Sequence, residues 1–251
     1  MGEDLVLRPR TLRAIAAVRA CGIPFVVVTG RMFRSVRPYL DHADIRDPVV
    51  CYQGAVVADP TNGRFLRHEP IPLELARDAI AAVEGNGFGL NCYVEDELYV
   101  ASATAEARRY AEFQHIPIHV VGPLLEWLDA APTKLVTIGD PQALDALEER
   151  MKARFDGRLF IAKSLPYFLE FASADVTKGA GMEFVARHLD VAPERTVAFG
   201  DGENDVELLE WAGFAVAVAN ADERVLARAD YVAPPVDEEG VAQVLEALLR
   251  R

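Results

Sequence analysis

Three observations predict an α/β fold built on a doubly wound parallel sheet with a second α/β unit inserted into it. Short apolar runs alternate with amphipathic helical stretches near the start of the chain and again through its last third, joined by short connections. The middle has a different rhythm, with paired strands between helices. Taken in order, residues 9–20 read as a helix, with Leu12, Ile15, Ala16 and Val18 on its apolar face and Cys21-Gly22 ending it. Residues 24–28 are continuously apolar, as expected of a parallel strand covered on both faces, and stop at Thr29-Gly30-Arg31. A helix to about residue 40 follows. A strand at 48–52 then leads into Gln53-Gly54-Ala55, with a hairpin turning around residues 60–63. The last third is expected to hold helix 179–189, strand 196–199, helix 205–212, strand 214–218, a short helix 222–227, strand 231–233 and helix 239–249. The expected division is a core of residues 1–72 and 173–251 and an inserted unit of residues 73–172. That unit reads as helix 73–84, strands 88–94 and 97–101, helix 104–114, a short strand at 118–121, strand 133–139, helix 141–154, and strands 158–163 and 167–172.

The 251 residues carry a net charge of −13 and are 51% hydrophobic. That suits a soluble globular protein with a sizeable core. An acidic surface repels nucleic-acid backbones and anionic lipid, so neither is expected as a partner, whereas acidic clusters suit a hard divalent cation. Cys21, Cys51 and Cys92 are widely spaced, each in an apolar stretch, and are expected to be buried free thiols. No run reaches the ~18 apolar residues of a membrane span, and the first residues lack the apolar core of a signal peptide. The expected location is the cytoplasm, and the reading admits a homo-oligomer.

Three places carry candidate chemistry. Gly200-Asp201-Gly202-Glu203-Asn204-Asp205 follows a strand and opens a helix. Ligands of open α/β sheets bind at the carboxyl ends of strands, and this loop supplies oxygen ligands of the kind Mg²⁺ takes. By itself the loop reads equally well as a solvated turn capping the next helix. Thr29-Gly30-Arg31 ends another strand, where a hydroxyl and free amides can hold a phosphate oxygen; alone it is an ordinary turn. Lys178 precedes a helix, a position that opposes the helix dipole unless something anionic lies nearby.

Taken in the order Thr29-Gly30-Arg31, Lys178-Gly179, Gly200-Asp201 to Asn204-Asp205, these sites resemble the second, third and fourth motifs of the haloacid-dehalogenase superfamily. Gln53-Gly54-Ala55, Ala219-Asn220-Ala221, Ala229-Asp230-Tyr231-Val232 and Glu239-Gly240-Val241-Ala242, with the large insertion, resemble its Cof-like branch. The resemblance implies a Mg²⁺-dependent phosphatase that acts on a small phosphorylated metabolite through an aspartyl-phosphate, with the insertion as a cap that selects substrate. It implies Asp201 as metal ligand, with Asp205 a second metal partner that acts through water or by holding the ligands in place. Thr29, Gly30 and Arg31 would bind phosphate, Asn204 would hydrogen-bond the phosphate or orient the loop, and Lys178 would neutralise the phosphoryl group.

The family's first motif, Asp-x-Asp-Gly-Thr after an apolar strand, does not occur in the sequence, and Asp4 has neither the preceding strand nor the following Gly-Thr. The chain as written is therefore expected to lack the nucleophile and the first core strand. A start assigned too far downstream is preferred to a true loss, because deleting a central strand strands buried backbone groups. Gln53 stands where the family usually has Asn. The competing reading is a non-catalytic protein that binds a phosphorylated ligand or a partner. A nucleotide-binding domain of the dinucleotide type is disfavoured, since no G-x-G-x-x-G follows a strand.

Overall fold

Pro9 has a fixed φ suited to a first helical turn and no amide to leave unpaired, and Pro9–Ala20 is helical throughout as α1. The computed structural model describes residues 6–250. After α1 come α2 (Phe33–His42), β1 (Val49–Cys51), β2 (Val56–Ala58) and β3 (Phe65–His68). The middle holds α3 (Leu73–Glu84), β4 (Leu90–Val94), β5 (Glu97–Val100), α4 (Ala105–Gln114), β6 (Ile118–Val120), α5 (Leu124–Trp127), β7 (Lys134–Ile138), α6 (Pro141–Phe155), β8 (Leu159–Leu165) and β9 (Phe168–Ser173). The last part is α7 (Lys178–His188), β10 (Val197–Gly200), α8 (Val206–Trp211), β11 (Phe214–Val218), α9 (Glu223–Leu226), β12 (Tyr231–Ala233) and α10 (Gly240–Leu248). The short helix α5 escapes the sequence pattern because four residues are too few to show a period.

The residues fall into two compact units. The first comprises 6–30, 36–66 and 177–250, and the second 31–35 and 67–176. In the first, β1, β2 and β3 form one three-stranded sheet, and β10, β11 and β12 form a parallel sheet of their own. The expected strand at 24–28 is extended but pairs only through a parallel bridge between Val28 and Val50. Its odd-numbered residues face β1: Val27 accepts from the Val50 amide at 2.9 Å and the Thr29 amide donates to Val50 at 2.8 Å. Among the described residues its other edge has no strand beside it. Helices α1 and α10 share one apolar cluster through Ala14, Val18, Ala242 and Leu245. They are tied by a two-point ion pair, Arg10 to Glu246, at 2.8 and 2.6 Å.

The second unit is a six-stranded sheet in the order β6-β5-β4-β7-β9-β8, antiparallel except where β5 meets β6. Strand periodicity sorts its faces. Leu90, Cys92 and Val94 of β4 point into an apolar core with Leu135, Leu169 and Phe171, covered by Ile80, Val83, Leu147 and Phe155 of α3 and α6. The intervening Asn91 and Tyr93 lie on the other face, where the Tyr93 hydroxyl donates to that of Tyr110 at 2.6 Å and Lys134 pairs with Glu170 at 3.3 Å. The turn between β4 and β5 has positive φ at Glu95 and Asp96. The Asp96 carboxylate caps α2 by accepting the Phe33 and Arg34 amides at 3.0 and 2.7 Å.

The cysteines divide differently from expectation. Cys51 and Cys92 are buried, but Cys21 is exposed, because it sits at the C-terminal cap where α1 leaves its apolar neighbours. Burial pushes the Cys92 thiol up to about 12. Thiol labelling of the folded protein at pH 8 should therefore modify Cys21 alone. Mass mapping should find Cys51 and Cys92 labelled only after denaturation.

Candidate active site

Thr177 caps α7, its hydroxyl accepting the Ala180 amide at 3.0 Å, so the helix opens at Lys178. A cation there works against the helix dipole, and the compensating anion is Asp205. Lys178 Nζ donates to Asp205 Oδ1 at 2.5 Å and to Asn204 Oδ1 at 3.2 Å. The lysine is 8% exposed and the aspartate 4%, so the pair lies out of water. The second oxygen of Asp205 accepts the amides of Asp201 and Gly202 at 3.0 and 3.2 Å. One carboxylate thus fixes both the lysine and the loop that follows β10.

Asn204 extends the network. Its Nδ2 donates to Gln53 Oε1 at 2.9 Å. Gln53 is buried at positive φ in the turn after β1, and its own amide donates to the Thr29 carbonyl at 3.1 Å. A continuous run of bonds therefore joins Thr29, Gln53, Asn204, Lys178 and Asp205. Glycine makes the approach of α7 possible. Gly54 has φ +111°, and a Cβ there would land on the Thr177 carbonyl. A Cβ on Gly181 would lie 2.5 Å from Val50 Cγ1 and 3.0 Å from the Gly54 Cα.

Asp201 differs from Asp205 in having an exposed side chain. Neighbouring atoms still crowd its carboxyl. Desolvation and the Asp205 charge raise its pKa, with Lys178 opposing them. A cation would relieve that repulsion. Among the described residues no group of three His, Cys, Asp or Glu side chains is placed to hold a metal. Mg²⁺ often takes only one or two carboxylates together with water and substrate oxygens, so Asp201 fits as one ligand. Both Asp205 oxygens are already engaged. Gly30 lies in the first unit beside Thr29, whereas Arg31 belongs to the second, where its Nη2 donates to the Phe113 carbonyl at 3.1 Å.

The remaining motif-like residues serve as clamps. Asn220 Oδ1 accepts the Val236 amide at 3.2 Å, and Asp230 Oδ2 accepts that of Ala215 at 2.8 Å. Glu239 accepts both the amide and the hydroxyl of Thr11, at 3.2 and 3.0 Å. The part played by Gln53 went unread in the sequence. Its signals were the resemblance of Gln53-Gly54-Ala55 to a family motif and its place just after a strand.

A buried, anchored lysine beside an exposed carboxylate in the loop after a parallel strand suits an α/β enzyme that handles an anionic substrate. The profile of the haloacid dehalogenase-like hydrolases matches residues 2–245, and the chain belongs to that family, in its Cof-like branch. A putative phosphatase of Haemophilus influenzae is 27% identical over 96% of this chain and 90% of its own length. The phosphoglycolate phosphatase of Archaeoglobus fulgidus is 28% identical over the same shares, 96% and 90%. A crystal structure from Thermotoga maritima superposes with a TM-score of 0.89 at 30% identity, covering 98% of this chain and 92% of that one.

Asp205→Ala should cost about 3 kcal/mol in urea unfolding, since it leaves a buried lysine and two loop amides unpaired. Asp201→Asn should leave the midpoint unchanged or raise it, because it removes a repelled charge. Equal losses in both variants would show that Asp205 is not the anchor. Gly54→Ala should destabilise by about 2–3 kcal/mol, from the strained φ together with the collision at Thr177. A thermal melt of that variant checks it.

Proposed function

We propose that the chain is the phosphate-handling body of a Mg²⁺-dependent phosphatase for a small phosphorylated metabolite, acting through an aspartyl-phosphate. The observation that carries this reading is the buried Lys178, held by Asp205 and Asn204 beside the free carboxylate of Asp201. A fixed ammonium in a dry site stabilises charge on a transferring phosphoryl group without reorganising. In this reading Lys178 faces a phosphoryl oxygen, and Thr29 with the Gly30 amide holds another. Asn204 keeps the lysine directed, and Arg31 takes part in substrate binding. Asp201 would ligate Mg²⁺, which supplies charge neutralisation when bound. Asp205 acts through Lys178 and the loop amides. The second unit acts as the substrate-selecting cap. Among the described residues no helix is long and apolar enough to cross a membrane.

The lack of any Asp-x-Asp-Gly-Thr in the sequence favours one alternative, a non-catalytic protein that binds phosphorylated ligands. The two readings part in one experiment. The 251-residue chain should show no Mg²⁺-dependent turnover of p-nitrophenyl phosphate above background. A form extended by its upstream in-frame codons should turn over. In that form Lys178→Ala and Asp201→Ala should each lose at least ~100-fold in kcat/KM. Full activity in both variants would overturn the assignment. An inactive extended form that still binds phosphorylated metabolites would establish the alternative.

A further inference from the structure

One end of the Gln53 side-chain amide is engaged and the other is not, and Lys178 decides which is which. An ammonium has only donors, so Asn204 must turn its oxygen toward Lys178 Nζ, at 3.2 Å. Its Nδ2 then faces Gln53, which has to answer with an acceptor, and Oε1 takes that bond at 2.9 Å. The Nε2 group of Gln53 is thereby left on the far side with two N–H donors. Among the described residues no acceptor bonds it, although the residue is only 8% exposed. No fully buried side-chain nitrogen among those residues lacks a partner, so Nε2 is the atom that Gln53 keeps open.

The open donor lies against the turn at Thr29-Gly30. A Cβ on Gly30 would fall 2.4 Å from Nε2 and 2.8 Å from Cδ, so glycine is needed there to seat the Gln53 amide. Backbone strain serves the same placement. Tyr52 and Gln53 have consecutive positive φ, 52° and 60°, a conformation that costs free energy in residues with a Cβ. The main-chain amide of Gln53 ties this strained turn to the Thr29 carbonyl at 3.1 Å. A buried donor left unbonded is a further cost. That cost disappears when an acceptor enters beside Gly30.

The chemistry of the acceptor follows from its surroundings. A cation does not fit, because Nε2 offers only hydrogen and Oε1 is already occupied. Lys178, two side-chain bonds away through Asn204, favours an anion. An amide also adds hydrogen bonds without adding charge, so it can share an anion with the ammonium and not repel it. We propose that Gln53 Nε2 is a further binding group for the substrate's phosphoryl oxygens, donating to one held at the Thr29-Gly30 turn. Lys178 then acts twice. It faces the anion itself and, through Asn204, sets which end of Gln53 meets it. That the anion is a phosphoryl group rests on the phosphatase reading; the orientation of the amide does not.

The test uses the full chain with Mg²⁺ and inorganic phosphate as the probe. The Nε2 protons of Gln53 are assigned by NMR through the side chain's own carbons, and calorimetry gives the affinity for phosphate. Those protons are expected to shift downfield along the calorimetric isotherm and to exchange with water at least ~10-fold more slowly once phosphate is bound. Gln53→Met should weaken phosphate binding at least ~10-fold, and Gly30→Ala, which keeps every amide but displaces Nε2, should do the same. A residue that merely braces Asn204 would show no such shift. Phosphate binding with unmoved Nε2 protons overturns the proposal and leaves the phosphatase reading standing. So does binding by folded Gln53→Met as tight as by the unsubstituted chain. If that variant does not fold, the signals of the unsubstituted chain decide alone. A chain that binds no phosphate removes the phosphatase reading, and this proposal with it.

Discussion

The carboxylate of Asp205 is the constraint on which the first unit's chemistry depends. Removing a lysine and an aspartate from water together costs several kcal/mol per ion, and attraction between them repays this only with close geometry and further hydrogen bonds. Both conditions hold here. The lysine is 2.5 Å from one oxygen, and the other oxygen takes two loop amides. The pair therefore locks the first turn of α7 to the loop after β10, and it also offsets the unfavourable placement of a cation at a helix N-terminus. Asn204 then carries the same order across to Gln53 and Thr29.

Backbone economy supports that lock. Gly54 and Gly181 remove side chains where α7 crosses the end of β1, and any Cβ at either point would push the lysine away from its partners. Farther off, Asp230 and Asn220 satisfy amides at the ends of β11 and β12. Glu239 joins the starts of α1 and α10 by accepting twice from Thr11. These side chains resemble functional motif residues in sequence, but what they touch is backbone and helix ends. They tie the parallel sheet to its connecting loops and α1 to α10.

The second unit solves a different problem. One face of its sheet is a dry aliphatic core, while the other buries a Lys134–Glu170 pair with Ser164 donating to Glu170 at 2.6 Å. Burial alone would lower the lysine's pKa, yet the Glu170 and Tyr110 charges outweigh it and the net direction is upward. A polar, fully bonded sheet face of this kind is costly to build and geometrically exacting. Tyr99 stacks on Trp127 with centroids 4.4 Å apart, and Tyr93 spends its hydroxyl on Tyr110, so both aromatic rings serve packing.

By itself the sequence determined the α/β class, the order of helices and strands and the three loops that carry polar chemistry. Those are local properties: apolar period, a proline at the start of α1, glycines at turns and capping residues leave their mark within a few positions. Only the tertiary structure decided that, among the described residues, 24–28 pair along a single edge, that Cys21 lies in solvent and that Asp201 and Asp205 have opposite surroundings. Two aspartates four positions apart look alike in sequence. What separates them is Lys178, 27 residues away, and the pairing of Asn204 with Gln53 spans 151. Burial and partner choice depend on which distant segments share a site, and a linear pattern carries no record of that distance.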